Sequence, residues 1–82
     1  KLEVMKLSNK ELADRLQNEH INKRELETGL VCEHNETKSE GRTRFFFLWS
    51  LCDDSNNVMW FESDVDIKRM TVKEIKKRKN VL

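Results

Sequence analysis

The sequence predicts an α+β fold, a small three-stranded antiparallel sheet with an N-terminal helical segment and a C-terminal helix, on three observations. All four Phe and both Trp fall within Arg44 to Phe61, RFFFLWSLCDDSNNVMWF, where two apolar runs flank a polar tetrapeptide. Strand-length apolar runs around turn formers read as a hairpin. Upstream, Leu12, Ala13 and Leu16 fall at helical spacing behind a capping serine. Downstream, Ile67, Met70, Val72 and Ile75 do the same ahead of a basic tail.

Taken in order, Ser8 to about Asn18 is the first helix, because Ser8 with Glu11 three residues on makes a capping box. Leu16, Ile21 and Leu26 break the stripe, so a second helical piece is expected at Asn22 to Thr28, capped by Asn22 and stopped by Gly29. Leu30, Val31 and Cys32 open a first strand that fades into a polar loop from Glu33 to Gly41. Phe45 to Cys52 and Asn57 to Phe61 are the second and third strands. A turn centred between Asp54 and Ser55 sets Trp49 opposite Trp60, Leu51 opposite Val58 and Leu48 opposite Phe61. Phe45, Phe47, Trp49, Leu51, Val58 and Trp60 then share one face, and Phe46, Leu48, Cys52, Met59 and Phe61 the other. After the acidic link Glu62 to Asp66 comes the final helix, with Thr71 and Glu74 repeating the capping-box spacing. The expected organisation is one domain, residues 1–28 forming the helical segment and 29–82 the sheet and C-terminal helix.

Two apolar sheet faces have a functional consequence. A chain of 82 residues has helix enough to cover one of them, so one face, or its rim, is expected to meet a partner. Hydrophobic content of 37% against 38% charged is polar for a small globular domain yet too apolar for a disordered one. A first residue other than Met reads as a piece excised from a longer chain. No apolar run reaches membrane-spanning length, and two Cys without a leader fit a reducing compartment. The hairpin spacing also keeps Cys32 away from Cys52. The Asn35-Glu36-Thr37 triplet matches the N-glycosylation pattern, which matters only in a secreted chain.

Catalysis has no visible support: no nucleophile elbow, glycine-rich phosphate loop or metal-binding spacing occurs, and Cys32 with His34 matches no common zinc pattern. The expectation is therefore no catalytic residue, no metal, no cofactor and no small-molecule substrate. The tail is different, because Lys73, Lys76, Lys77, Arg78 and Lys79 cluster within seven residues and KKRK at 76–79 fits a nuclear import pattern. Helix, three strands, helix is also the order of double-stranded RNA-binding domains, so a basic C-terminal helix lying across phosphates is one alternative. The acids between Asp53 and Asp66 oppose it.

FFFLW at 45–49, a polar turn, Val58 to Phe61, ESDV at 62–65 and the downstream helical spacing, with Gly29-Leu30-Val31 before them, resemble the chromo-like fold, especially chromoshadow domains of heterochromatin proteins. The resemblance spans about residues 29–79. It implies dimerisation through the last helix, matched here by Met70, Val72 and Ile75, and capture of an extended apolar peptide beside Val81 and Leu82. Trp49 would be one wall of a methyl-lysine cage, but the position three residues on is Cys52 rather than an aromatic. With Trp49 and Trp60 added from the hairpin, these residues make up the expected partner-binding set, for a protein partner or a homodimer in a nuclear, chromatin-associated assembly. A third reading is the globular head of a coiled coil, as in kinetochore subunits.

Overall fold

The computed structural model describes residues 7–79, with side chains described through residue 75. One helix, α1 (Asn9–Thr28), precedes four strands, β1 (Val31–Glu40), β2 (Arg44–Cys52), β3 (Val58–Asp66) and β4 (Thr71–Lys79). The strands form one antiparallel sheet in the order β1-β2-β3-β4, and α1 lies on one of its faces. The three-strand, two-helix expectation is thus corrected: the sheet has four strands, and the segment expected to be the C-terminal helix is β4.

The helix starts where the capping box placed it. Ser8 Oγ accepts from the Glu11 N–H at 3.1 Å, and Glu11 Oε1 accepts from the Ser8 N–H at 2.8 Å. Gly29, at φ 73°, ends the helix in the left-handed conformation, and its N–H donates to Glu25 O. Between these caps there is no break, because the buried stripe runs Ala13, Gln17, Ile21 at four-residue steps. The polar Gln17 sits in it, and an apolar count cannot see that member. Leu26, where the apolar spacing broke, faces solvent.

β1 is a full strand rather than a short one fading into a loop, although its register slips at Cys32/His34 and again at Thr37/Ser39. These bulges hide the alternation a strand normally shows. In the next hairpin the loop holds five residues, Asp53 to Asn57, and Cys52 pairs with Val58. Asp53 Oδ1 accepts the N–H groups of Ser55 and Asn57, both at 2.9 Å, and Asn56 takes φ 65°. That odd loop moves the register one residue from the expected one. Trp49 therefore faces Phe61, Leu51 faces Met59 and Leu48 faces Glu62. A one-residue shift turns every β3 side chain to the other face, so Phe61 enters the core and Trp60 leaves it.

The turn Ile67–Met70 then reverses the chain. Asp66 Oδ1 accepts the Lys68 and Arg69 N–H groups, Ile67 N–H donates to Thr43 O, and Met70 takes φ 53°. Residues 71–79 form a strand because Thr71, Val72 and Ile75 are β-branched and because Val72, opposite Val65, packs against the core. The helical spacing of Ile67, Met70 and Ile75 came from residues on a turn and an exposed strand face.

The core lies between α1 and the sheet in two adjoining clusters. Ala13, Phe45, Phe47 and Val65, flanked by Leu16, Ile67 and Val72, fill one end. Ile21, Trp49, Leu51 and Phe61, flanked by Leu30, Cys32 and Met59, fill the other. Trp49, fully buried, stacks on Phe61 at 4.7 Å and meets the edge of His20, while its Nε1–H donates to Ser63 Oγ at 2.8 Å. At roughly 25 cal/mol per Å2 of apolar surface, these large rings dominate the energetics of so small a core.

Candidate interaction face

Alternation along β2 and β3 leaves a second surface on the sheet, opposite α1. It carries Phe46 and Leu48 from β2, Val58 and Trp60 from β3, Val31 and His34 from β1, and Ile75 from β4. No described element covers it. Phe46, Leu48, Val58 and Trp60 are half-buried by their neighbours alone, and Ile75 is 41% and Val31 58% exposed. The Trp60 indole packs on the His34 imidazole, ring centroids 5.1 Å apart, and shields the buried Ser50 between them.

Towards the other end, charges pair across this face. Arg44 lies over the Phe46 ring and donates from Nε to Asp64 Oδ1 at 2.9 Å, a contact that holds the guanidinium proton more tightly than usual. Lys38, beside the second β1 bulge, reaches Glu62. Arg44, Asp64, Asp66, Arg69, Thr71 and Lys73 line a shallow cleft of about 270 Å3 where the face ends. The result is an apolar band at one end and a mixed, largely paired set of charges at the other.

Ser50 Oγ and His34 Nδ1 lie 3.5 Å apart, but no described carboxylate bonds the other imidazole nitrogen, the third member a triad needs. No group of three or more His, Cys, Asp or Glu among the described residues is placed to hold a metal ion. The bulge after Cys32 puts it and His34 on opposite faces: Cys32 packs in the core and His34 stands on the open side. Both cysteines are free thiols, and burial, then neighbouring carboxylates, pushes each above its ordinary pKa. Cys32 pairs with Leu51, next to Cys52 in the register rather than far from it, yet the two thiols point to opposite faces. Asn35 of the glycosylation-like triplet accepts from Gln17 and donates to Asn18.

The expected partner-binding residues separate accordingly. Trp60 and Ile75 share the open face. Trp49 is sealed in the core, Val72 packs against the Phe45 cluster at its other end, and Met70 sits on the exposed turn. Val81 and Leu82 lie outside the described residues. Of the basic set, Lys73 is on the open face, while Lys76, Lys77, Arg78 and Lys79 run along β4, so no basic helix exists to lie on phosphates. Phe46, Leu48 and His34 were missed as site residues. Strict alternation from Trp49 would have found the first two, whereas His34 needed the bulge.

No helix among the described residues is long and apolar enough to cross a membrane. Compared with protein-family models, with curated proteins and with solved structures, the chain matches none.

Proposed function

We propose that this domain is a non-catalytic protein-interaction module that binds an apolar segment of a partner protein, or a second copy of itself, through the open sheet face. The observation that carries the reading is the position of Trp60. A large aromatic on a sheet face that no described element covers, packed on His34 and sharing that face with Leu48, Val58 and Ile75, has the composition of an interface centre. Paired charges at the far end supply the polar rim. A single-stranded nucleic acid stacking on these rings is less well supported, because Glu36, Glu62 and Asp64 share the face and repel phosphate.

The KKRK run supports a nuclear setting. A chromatin-specific role drew its support from the resemblance, whose dimer helix falls on residues that form a turn and β4 here, so the proposal stops at protein interaction. The test is selection of peptides from a random display library on the wild-type chain, with affinities then measured on Trp60→Ser and Ile75→Ser. Solution mass is followed across concentration for the same three proteins. Expected is a loss of at least tenfold (about 1.4 kcal/mol) in peptide affinity, or dispersal of a dimer, in the two variants. Ligands and self-association indifferent to both substitutions would overturn the reading.

A further inference from the structure

The two edges of the sheet are built differently. β1 carries two register shifts within ten residues, the usual way of spoiling an edge for further pairing. β4 carries a single register shift, after Lys76, and pairs with β3 without interruption from Thr71 opposite Asp66 to Lys76 opposite Phe61; no described element lies beyond it. Every second residue of such a strand turns its backbone N–H and C=O outward, unpaired. The strand also reads TVKEIKKRK, five basic residues and one acid. That acid is already committed: Glu74 accepts from Arg24 Nε at 3.0 Å and lies 2.7 Å from His20 Nε2, which ties the strand to α1 from the covered face. Lys73, on the open face, forms no ion pair among the described residues.

We propose that the β4 edge accepts an extended acidic peptide segment as a fifth strand. Backbone hydrogen bonds along residues 71–76 would supply register, and the basic side chains of the strand would supply selectivity for carboxylates. Edge lysines ordinarily prevent pairing, and they do so here for one occupant: a second copy presenting the same basic edge about a two-fold axis. An acidic strand meets no such barrier. The ion pairs of Glu74 with α1 commit the single carboxylate that β4 itself carries, and Asp64 beside Lys73 is already paired with Arg44. This site uses the outward backbone of β4, whereas the open-face reading rests on Trp60 of β3, two different sets of contacts.

Fluorescence anisotropy with a labelled ten-residue peptide alternating Glu or Asp with Val or Thr tests the proposal. Its comparators are the same peptide N-methylated at alternate residues and a nucleic-acid duplex. Expected is binding that falls at least tenfold on N-methylation of the outward-pairing set and at least tenfold in Lys73→Glu with Lys76→Glu. Trp60→Ser should bind as wild type, which separates failure here from failure of the open-face reading. The double variant is checked by circular dichroism. Lys73→Gln with Lys76→Gln, which removes the charge without reversing it, gives a second route should that variant not fold. Equal binding of methylated and unmethylated peptides would show charge attraction without strand addition. Preference for the duplex with a steep salt dependence would show a phosphate-binding edge. No peptide binding at low salt would show a closed edge. Any of these three overturns the proposal.

Discussion

Strand β3 presents two chemistries. Met59, Phe61, Ser63 and Val65 look towards α1, and three of these four are fully or almost fully buried. Val58, Trp60, Glu62 and Asp64 look away, and none of them is buried. Both tryptophans stand on central strands among apolar neighbours, and what separates their environments is the helix over one face of the sheet. Burial is therefore assigned by register: the face that receives α1 becomes core, and the other, with an aromatic of equal size, becomes surface available for contact. Substituting the two tryptophans in turn makes the largest test of that difference. Trp49→Ala empties a closed space and forfeits the Phe61 stack, and is expected to cost about 3–5 kcal/mol in urea unfolding. Trp60→Ala, on the half-exposed side, is expected to cost less than about 1.5 kcal/mol. Similar costs for the two would mean that the faces are not distinct.

A finer test lies within the covered face. Ser63 accepts the Trp49 indole proton in a fully dry position. Ser63→Ala leaves that donor unpaired, an expected loss of about 1–3 kcal/mol, with a shift in Trp49 fluorescence as its local signature. A substitution of equal size on the other side, Ser39→Ala, is expected to change stability by less than about 0.5 kcal/mol.

Much of the fold was written locally. Ser8, Glu11 and Gly29 mark both ends of α1, and the aromatic hairpin stands where its apolar runs put it. The parts that were not legible depend on contacts far along the chain. Gln17, His20 and Arg24 belong to the inner face of α1 because they meet Asn35 and Glu74, so the helix looked broken when only apolar spacing was read. β4 is strand because Val72 reaches Val65 and the Phe45 cluster, whereas its own sequence tolerates a helix. The candidate face was half visible for the same reason. Alternation displays Phe46 and Leu48, but whether Trp60 or Phe61 joins them turned on one residue of loop length.

Gln17 offers a smaller perturbation of the covered face, and one of opposite sign. Its Nε2 donates to Asn35 Oδ1 at 3.1 Å, but its buried Oε1 has no hydrogen-bond partner. Methionine has nearly the same shape without the orphaned acceptor, and Asn35, being exposed, can turn to water. Gln17→Met is therefore expected to be neutral or stabilising by up to about 1 kcal/mol, read from the midpoint of urea unfolding. A loss larger than that would mean that the Asn35 bond, and not packing, holds β1 against the helix.

The smallest expected effect concerns the loop that decides which tryptophan goes inside. Backbone N–H groups of Asn57, and less strongly Ser55, hold the Asp53 carboxyl below its ordinary value of 3.8. A folded-state pKa below the unfolded one contributes stability that is fully present above about pH 4 and is lost as the pH falls through the folded value. Asn in this position keeps one acceptor oxygen for the same N–H groups but does not titrate in that range. Wild type is thus expected to exceed Asp53→Asn in stability near neutral pH, with the difference shrinking below pH 4. Glu11, lowered in the same direction by its bonds to Ser8, titrates in both proteins and cancels from the comparison. A difference that does not change with pH would separate the loop charge from the register. The five-residue geometry alone would then keep Phe61 in and Trp60 out.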